Sequence, residues 1–186
     1  MDSEVIPHLL VRELNMGFNI SEAAARLMDI LKGSFSLVIM THDTLIACRD
    51  QIGFRPLCMG KTNDGYIFTS ESCVIDNLGA EFIKDIKPGE VVTVNKNTVV
   101  YDESRVMGKA TICIFEHIYF ARNDSVIDGV SVHEARVNAG KRLAITHPAE
   151  ADIVIGVPDS GIGAAIGFSK QSGIPFEMGF VKNPYV

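Results

Sequence analysis

The spacing of apolar residues divides the chain into three stretches. Val5, Ile6, Leu9 and Leu10 recur at helical intervals behind Asp2-Ser3-Glu4, which supplies cap residues and early acids. Pro7 falls in the first turns, where a helix tolerates it. Ala24, Leu27, Met28 and Leu31 share one face of a second predicted helix, with Ser21 as its N-cap and Gly33 as its stop.

From Ser34 the period shortens to that of strands. Phe35–Met40 and Leu45–Cys48 flank a His42-Asp43 turn, and Leu57–Met59 and Tyr66–Thr69 flank Asn63-Asp64-Gly65. Pro88-Gly89 leads into Val91–Val94, and Asn95-Lys96-Asn97 turns into Thr98–Tyr101. Runs this short, joined by turns this tight, predict antiparallel meanders.

Residues 102–110 are polar and mark a boundary. Beyond them Ser131-Val132-His133-Glu134 has the form of a capping box that opens a helix to about Thr146. Asp152–Val157 reads as a buried strand, Gly161–Ser172 as a helix, and Phe176–Phe180 as a further strand after Gly173-Ile174-Pro175. Strand, helix and strand in that order make a parallel sheet. The predicted fold class is α+β followed by α/β, without internal repeats or low-complexity segments.

Composition narrows the setting. A chain of 186 residues holds one domain or parts of two. Its 47% apolar and 22% charged residues are ordinary for a soluble globular protein. A net charge of −6 argues against nucleic acid or an anionic membrane as partner. No apolar run reaches the length of a bilayer span and no leader pattern opens the chain, so the cytoplasm is the expected compartment. Cys48, Cys58, Cys73 and Cys113 form no C-x-x-C pair and have no zinc spacing, so reduced thiols are expected.

The stretch with most chemistry is Ile153–Gly167, where a β-branched run ends in Val157-Pro158-Asp159-Ser160-Gly161 and a small-residue helix follows. Amides at such a helix start can hold phosphate oxygens, while Asp159 and Ser160 organise a metal-bridged phosphate. The same residues also suit a plain turn in which Ser160 or Asp159 caps the helix. The stretch is neither a Walker loop nor a dinucleotide fingerprint. Cys113-Ile114-Phe115-Glu116-His117, with Arg122 and Asp124-Ser125 after it, gathers a thiol, a carboxylate, an imidazole and a guanidinium. Taken alone, that block suits a buried thiol and a hydrogen-bonded Glu116–His117 pair. Arg49-Asp50 through Arg55-Pro56-Leu57 reads as a loop fixed by a structural ion pair, and Thr69-Ser70-Glu71-Ser72 as a capped helix start.

In series these stretches are more specific. Arg49-Asp50-x-x-Gly53-x-Arg55-Pro56-Leu57, Ser70-Glu71-Ser72, Lys87-Pro88-Gly89-Glu90, Cys113-Ile114-Phe115-Glu116, Val157-Pro158-Asp159-Ser160 and Lys182-Asn183 together resemble the amidophosphoribosyltransferase family. The resemblance runs in order from Asp2 to the last residue. It implies the C-terminal half of an N-terminal-nucleophile αββα glutaminase domain over 1–108. It also implies the start of a type I, Rossmann-like phosphoribosyltransferase domain over 109–186. The implied reaction makes 5-phosphoribosylamine from phosphoribosylpyrophosphate and glutamine, with Mg²⁺ as cofactor, purine nucleotides as inhibitors and a homo-oligomer as the full-length state. By position, Asp2 matches the aspartate that binds the α-amino group of glutamine. Asp159, Gly161 and Lys182 match substrate-binding positions, and Ser160 the residue near Mg²⁺. Cys113 matches the first of four cysteines that hold a [4Fe–4S] cluster in one branch of the family.

Departures set limits on the resemblance. Met1 is not a cysteine and none lies close behind it, so the nucleophilic cysteine is expected upstream. The acidic pair that grips the ribose hydroxyls has no counterpart. The other three cluster cysteines have none either, so Cys113 by itself cannot hold a cluster. Pro184 replaces the usual arginine after Asn183. The chain is therefore expected to be an internal fragment without glutaminase activity of its own. The alternative is a non-catalytic remnant that binds a nucleotide or pairs with a partner.

Overall fold

The computed structural model describes residues 2–96, 98–108, 110–183 and 185, apart from the side chain of Asp2. The chain divides into two compact units. One holds the residues up to Ser70 together with Val74–Ile112, the other Glu71–Cys73 together with the residues from Cys113 onward.

The first unit opens with a 3-10 turn, Asp2–Glu4, that runs into α1 (Val5–Asn15). Next comes α2 (Ile20–Ile30), whose N-cap is Asn19 rather than the predicted Ser21. The Asn19 side chain accepts the Glu22 amide and the Glu22 carboxylate accepts the Asn19 amide, a complete capping box two residues early. Extended backbone at Leu31 ends the helix, before the predicted stop at Gly33.

The strands follow the expected meander. β1 (Ser36–Met40), β2 (Thr44–Arg49), β6 (Val91–Asn95) and β7 (Val99–Asp102) form one antiparallel sheet in the order β1-β2-β6-β7. β3 (Cys58–Lys61), β4 (Tyr66–Thr69) and β5 (Glu81–Asp85) form a second, in the order β4-β3-β5. The alternation of β2 explains the layering. Ile46 and Cys48 pack with Ala24, Ala25 and Met28 of α2, whereas Ala47 packs with Leu57, Met59 and Ile86 of the other sheet. Val91 and Val92 divide in the same way. On α1, Leu10 packs with Ala23 and Leu27 of α2. The short helix α3 (Ser72–Asn77) lies over β3, where a Cβ at Gly60 would stand 2.8 Å from Ile75. From Val74 onward that helix belongs to the first unit. Helices, sheet, sheet and helix make four layers.

Buried charges tie the layers' edges. Arg49, fully buried, donates to the carbonyls of Arg55 at 2.7 Å, Gly53 at 2.8 Å and Ile86 at 2.9 Å. Asp50 accepts the amides of Phe35 at 3.1 Å and Ile52 at 3.0 Å. The Arg49–Arg55 stretch is thus fixed structurally, chiefly through backbone groups. Glu13, also buried, faces Arg26 and Arg12.

The second unit begins with a π-helical turn, Glu116–Phe120, followed by a two-stranded hairpin of β8 (Val126–Ile127) and β9 (Val130–Ser131). Helix α4 (Val132–Thr146) starts at the predicted Ser131, whose hydroxyl accepts the Glu134 amide at 3.3 Å. β10 (Val154–Ile155) and β11 (Phe176–Glu177) pair in parallel, as strand–helix–strand order requires, though both are shorter than their apolar runs. Between them α5 (Gly161–Ser172) has the predicted bounds and ends at Gly173 in the left-handed region. No described helix is long and apolar enough to cross a membrane.

α4 and α5 meet through glycines. A Cβ at Gly167 would lie 1.9 Å from the Val137 carbonyl oxygen, and one at Gly140 would lie 1.9 Å from that of Ala164. Backbone cannot yield as a side chain end can, so the contact admits no methyl. Gly167→Ala is expected to destabilise the second unit by about 1–3 kcal/mol, read from urea unfolding. In the first unit Arg26, then Arg12, holds the Glu13 carboxyl below its ordinary value of 4.5. A lowered carboxyl stabilises fully above its unfolded value and loses that contribution as pH falls through the folded one. Arg26→Gln should flatten the loss of stability between about pH 6 and about pH 3, measured as urea midpoints.

Candidate functional site

The second unit contains a cleft of about 840 Å³ where the turn after β10 faces the segment that follows the π-helical turn. Asp159, Ser160 and Lys182 line it, opposite Arg122, Asn123 and Asp124. Three of the residues expected to serve the site therefore share one cavity. Gly161 opens α5 beside them.

The turn is built by backbone. The Gly161 amide donates to the Val157 carbonyl at 3.0 Å, and the Pro158–Asp159 peptide is cis. Ser160 has helical dihedrals and no side-chain cap bond, so it does not cap α5. The residue is half-buried at the cleft wall, and the four first amides of a helix have no intrahelical acceptor. Asp159 is exposed, and its carboxylate accepts from Lys182 Nζ at 3.2 Å. A Cβ at Gly161 would meet only Val157 at 3.7 Å, an ordinary contact. Protein packing does not demand glycine there.

The opposite wall is a short turn. The Ser125 amide donates to the Arg122 carbonyl at 3.1 Å, and Arg122 grips Asp124 through two bonds at 3.1 and 2.7 Å. That carboxylate raises the guanidinium above its ordinary value. Behind the turn stands Arg136 of α4, buried, which donates to the His117 carbonyl at 2.7 Å, the Ala121 carbonyl at 2.8 Å and Asn123 Oδ1 at 2.6 Å. Desolvation pushes Arg136 down, yet guanidinium stays protonated at any physiological pH. Sequence reasoning passed over Arg136 and Asn123. An arginine at a helix position facing small residues was the available signal.

The side chain of Asp2 and all of Pro184 lie outside the described residues, and the backbone at Asp2 begins the 3-10 turn. Cys113 is buried, and among the described residues no group of three or more His, Cys, Asp or Glu is placed to hold a metal. A [4Fe–4S] cluster takes four thiolates, so the ligand role implied for Cys113 concerns the full-length parent and not this chain alone. His117 gives its carbonyl to Arg136 and keeps a buried Nε2 without a hydrogen-bond partner.

Comparison with known proteins identifies the relatives of this chain. The model of a glutamine amidotransferase domain matches residues 1–77. An amidophosphoribosyltransferase of Archaeoglobus fulgidus is 46% identical over 185 residues, covering all of this chain and 40% of the relative. That of Methanocaldococcus jannaschii is 44% identical over 200 residues, covering all of this chain and 42% of the relative. Over its whole length the chain is similar to part of the amidophosphoribosyltransferases. Among solved structures, the glutamine phosphoribosylpyrophosphate amidotransferase from B. subtilis complexed with ADP and GMP superposes with a TM-score of 0.91 at 41% identity. That superposition covers all of this chain and 40% of the other. The chain thus spans about two fifths of the length of the amidophosphoribosyltransferases it matches.

Thiol chemistry gives a direct test of which groups are inert. All four cysteines are buried, and burial pushes the Cys48 thiol up to about 12. A thiol is nucleophilic only as thiolate. A glutamine analogue that alkylates reactive cysteines should leave Cys48, Cys58, Cys73 and Cys113 unmodified in the folded chain, as read by intact mass. Specific labelling of any of them would contradict this picture.

Proposed function

We propose that this chain is the part of an amidophosphoribosyltransferase that carries the pyrophosphate turn, in an enzyme making 5-phosphoribosylamine from phosphoribosylpyrophosphate and glutamine. The carrying observation is the match of the whole chain to relatives of that name. On this reading the residues up to 108 are part of a glutaminase domain and those from 109 part of a phosphoribosyltransferase domain. Asp2 would receive the α-ammonium of glutamine, a carboxylate facing a cation.

In that reaction ammonia attacks the ribose carbon that bears pyrophosphate, and pyrophosphate departs with the bonding electron pair. Catalysis then requires fixed positive charge and amide donors where the leaving group becomes more negative. Lys182 and Arg122 line the cleft, as do Ser160 and Ile162 at the start of α5. Glycine at position 161 lets phosphate oxygens approach the backbone closely, which accounts for a glycine that packing does not need.

Mg²⁺ fits this donor set. The Ser160 hydroxyl, unused as a cap, and the Asp159 carboxylate are the hard oxygen donors it prefers. Few protein ligands suffice, because this ion keeps waters and takes phosphate oxygens. When bound it would neutralise charge on the departing pyrophosphate. Purine nucleotides are the regulators this reading assigns, in keeping with the ADP and GMP of the B. subtilis relative. A homo-oligomer is the assigned assembly of the full-length enzyme.

Calorimetric titration of the chain with inorganic pyrophosphate and Mg²⁺ is the test. Binding is expected, and Ser160→Ala and Lys182→Ala should each weaken it roughly tenfold, the worth of one charge-assisted hydrogen bond. Gly161→Ala should weaken it too while leaving the urea midpoint unchanged. Absence of pyrophosphate binding, or variants indistinguishable from the parent, would remove the reading.

A further inference from the structure

The cleft wall formed by Arg122, Asn123 and Asp124 cannot anchor itself. Arg122 and Asp124 pair with each other inside one turn, so that ion pair moves wherever the turn moves. Arg136 fixes the turn from α4 through Ala121 and Asn123. A second hold comes from Glu71–Cys73, three residues of the second unit whose neighbours in sequence on both sides belong to the first. One oxygen of the Glu71 carboxylate, Oε2, accepts both the Ser125 hydroxyl at 2.7 Å and the Arg122 amide at 2.8 Å. Ser72 Oγ accepts the Val126 amide at 2.8 Å. Ser125 and Ser72 are buried, so the donors they serve have little access to water as a substitute.

We propose that Glu71 is a positioning residue for the cleft, holding the Ala121–Val126 turn so that Arg122 and Asp124 stand where a polyanion meets them. It touches no ligand itself, and it acts through the turn. The proposal rests on the reading of the cleft as a pyrophosphate site. The accepting oxygen, Glu71 Oε2, also faces the Cys73 thiol at 3.8 Å, and the Glu71 charge bears on Arg122 and Arg136. The hold on the turn itself calls for an acceptor of the right reach. Glutamine keeps that oxygen at the same distance from the backbone. Alanine removes it, and aspartate withdraws it by one methylene.

Two readouts on the whole chain test this. The first is hydrogen exchange of individual amides by NMR. Glu71→Ala should speed exchange of the Arg122 amide at least roughly tenfold and leave α5 amides unchanged, whereas Glu71→Gln should stay near the parent. The second is the dissociation constant for Mg²⁺–pyrophosphate. It should rise roughly tenfold in Glu71→Ala, since misplacement of a binding group on the ångström scale is that costly, and return to within about twofold in Glu71→Gln. Should Glu71→Ala not fold, Ser125→Ala removes one of the two donors and should give a smaller change in the same direction. Unchanged Arg122 exchange in Glu71→Ala would overturn the proposal. So would faster exchange with an unaltered dissociation constant, or a Glu71→Gln variant as impaired as the alanine. If the parent chain takes up no pyrophosphate, the pyrophosphate reading falls, and exchange at Arg122 still decides whether Glu71 holds the turn.

Discussion

The cleft wall of the second unit depends on one buried guanidinium. Arg136 leaves α4 with its stem under α5, where a Cβ at Gly163 would come within 2.9 Å of its own Cβ. Its head then satisfies two carbonyls and one amide oxygen around the Ala121 turn. A cation taken out of water is costly unless its donors are met, and here all three directions of the fork are met. The position of the cleft wall is therefore set by the packing of α4 on α5. That packing is set by glycines whose absent side chains let two backbones approach. Small residues in α5 are structural in this sense, and only Gly161 among those discussed escapes the explanation.

The first unit follows a different logic. Its two sheets share a core through strict alternation along β2 and β6, so each strand serves a helix on one face and a sheet on the other. Its buried charges are met in two ways, Glu13 by arginine side chains and Arg49 and Asp50 by backbone groups. Arg49 spends its guanidinium on carbonyls and Asp50 its carboxylate on amides. The two residues belong to a motif that is plainly visible in the sequence, and their bonds rigidify a loop. Visibility of a motif and participation in chemistry are separate properties.

What the sequence disclosed depended on how local the cause was. Hairpins at His42-Asp43 and Asn63–Gly65, and the span of α5, follow from turn residues and periodicity, which act within a few positions. The Ser21 cap failed because Asn19 and Glu22 compete at the same helix start, and the pair that bonds reciprocally wins. β5 escaped because Glu81, Phe82 and Ile83 are all exposed and its apolar run is short, leaving little periodic signal. The cleft was half legible. The Asp159–Gly161 turn stands out by residue type, while Lys182 stands out only through the family resemblance. Arg136, Asn123 and Glu71 act across the fold, and Glu71 meets Ser125 from 54 positions away. No pattern along the chain encodes such a meeting.

The charges of the cleft bear on the form in which an anion enters. Lys182 is already matched to Asp159 and Arg122 to Asp124, so each cation at the mouth brings an acid with it. A bare polyanion would gain two cations and meet two carboxylates, and the exposed pairs it displaces are worth little by themselves. A chelate of the same anion alters the balance. Its divalent cation gives the freed carboxylates a partner while the phosphate oxygens take the lysine and the arginine. Both ion pairs are then exchanged rather than broken, and the chelate enters with two fewer negative charges than the bare anion. Exposed pairs are suited to such an exchange, since screening keeps them weak, whereas the buried contacts of Arg136 and Glu71 hold the walls in place while it occurs.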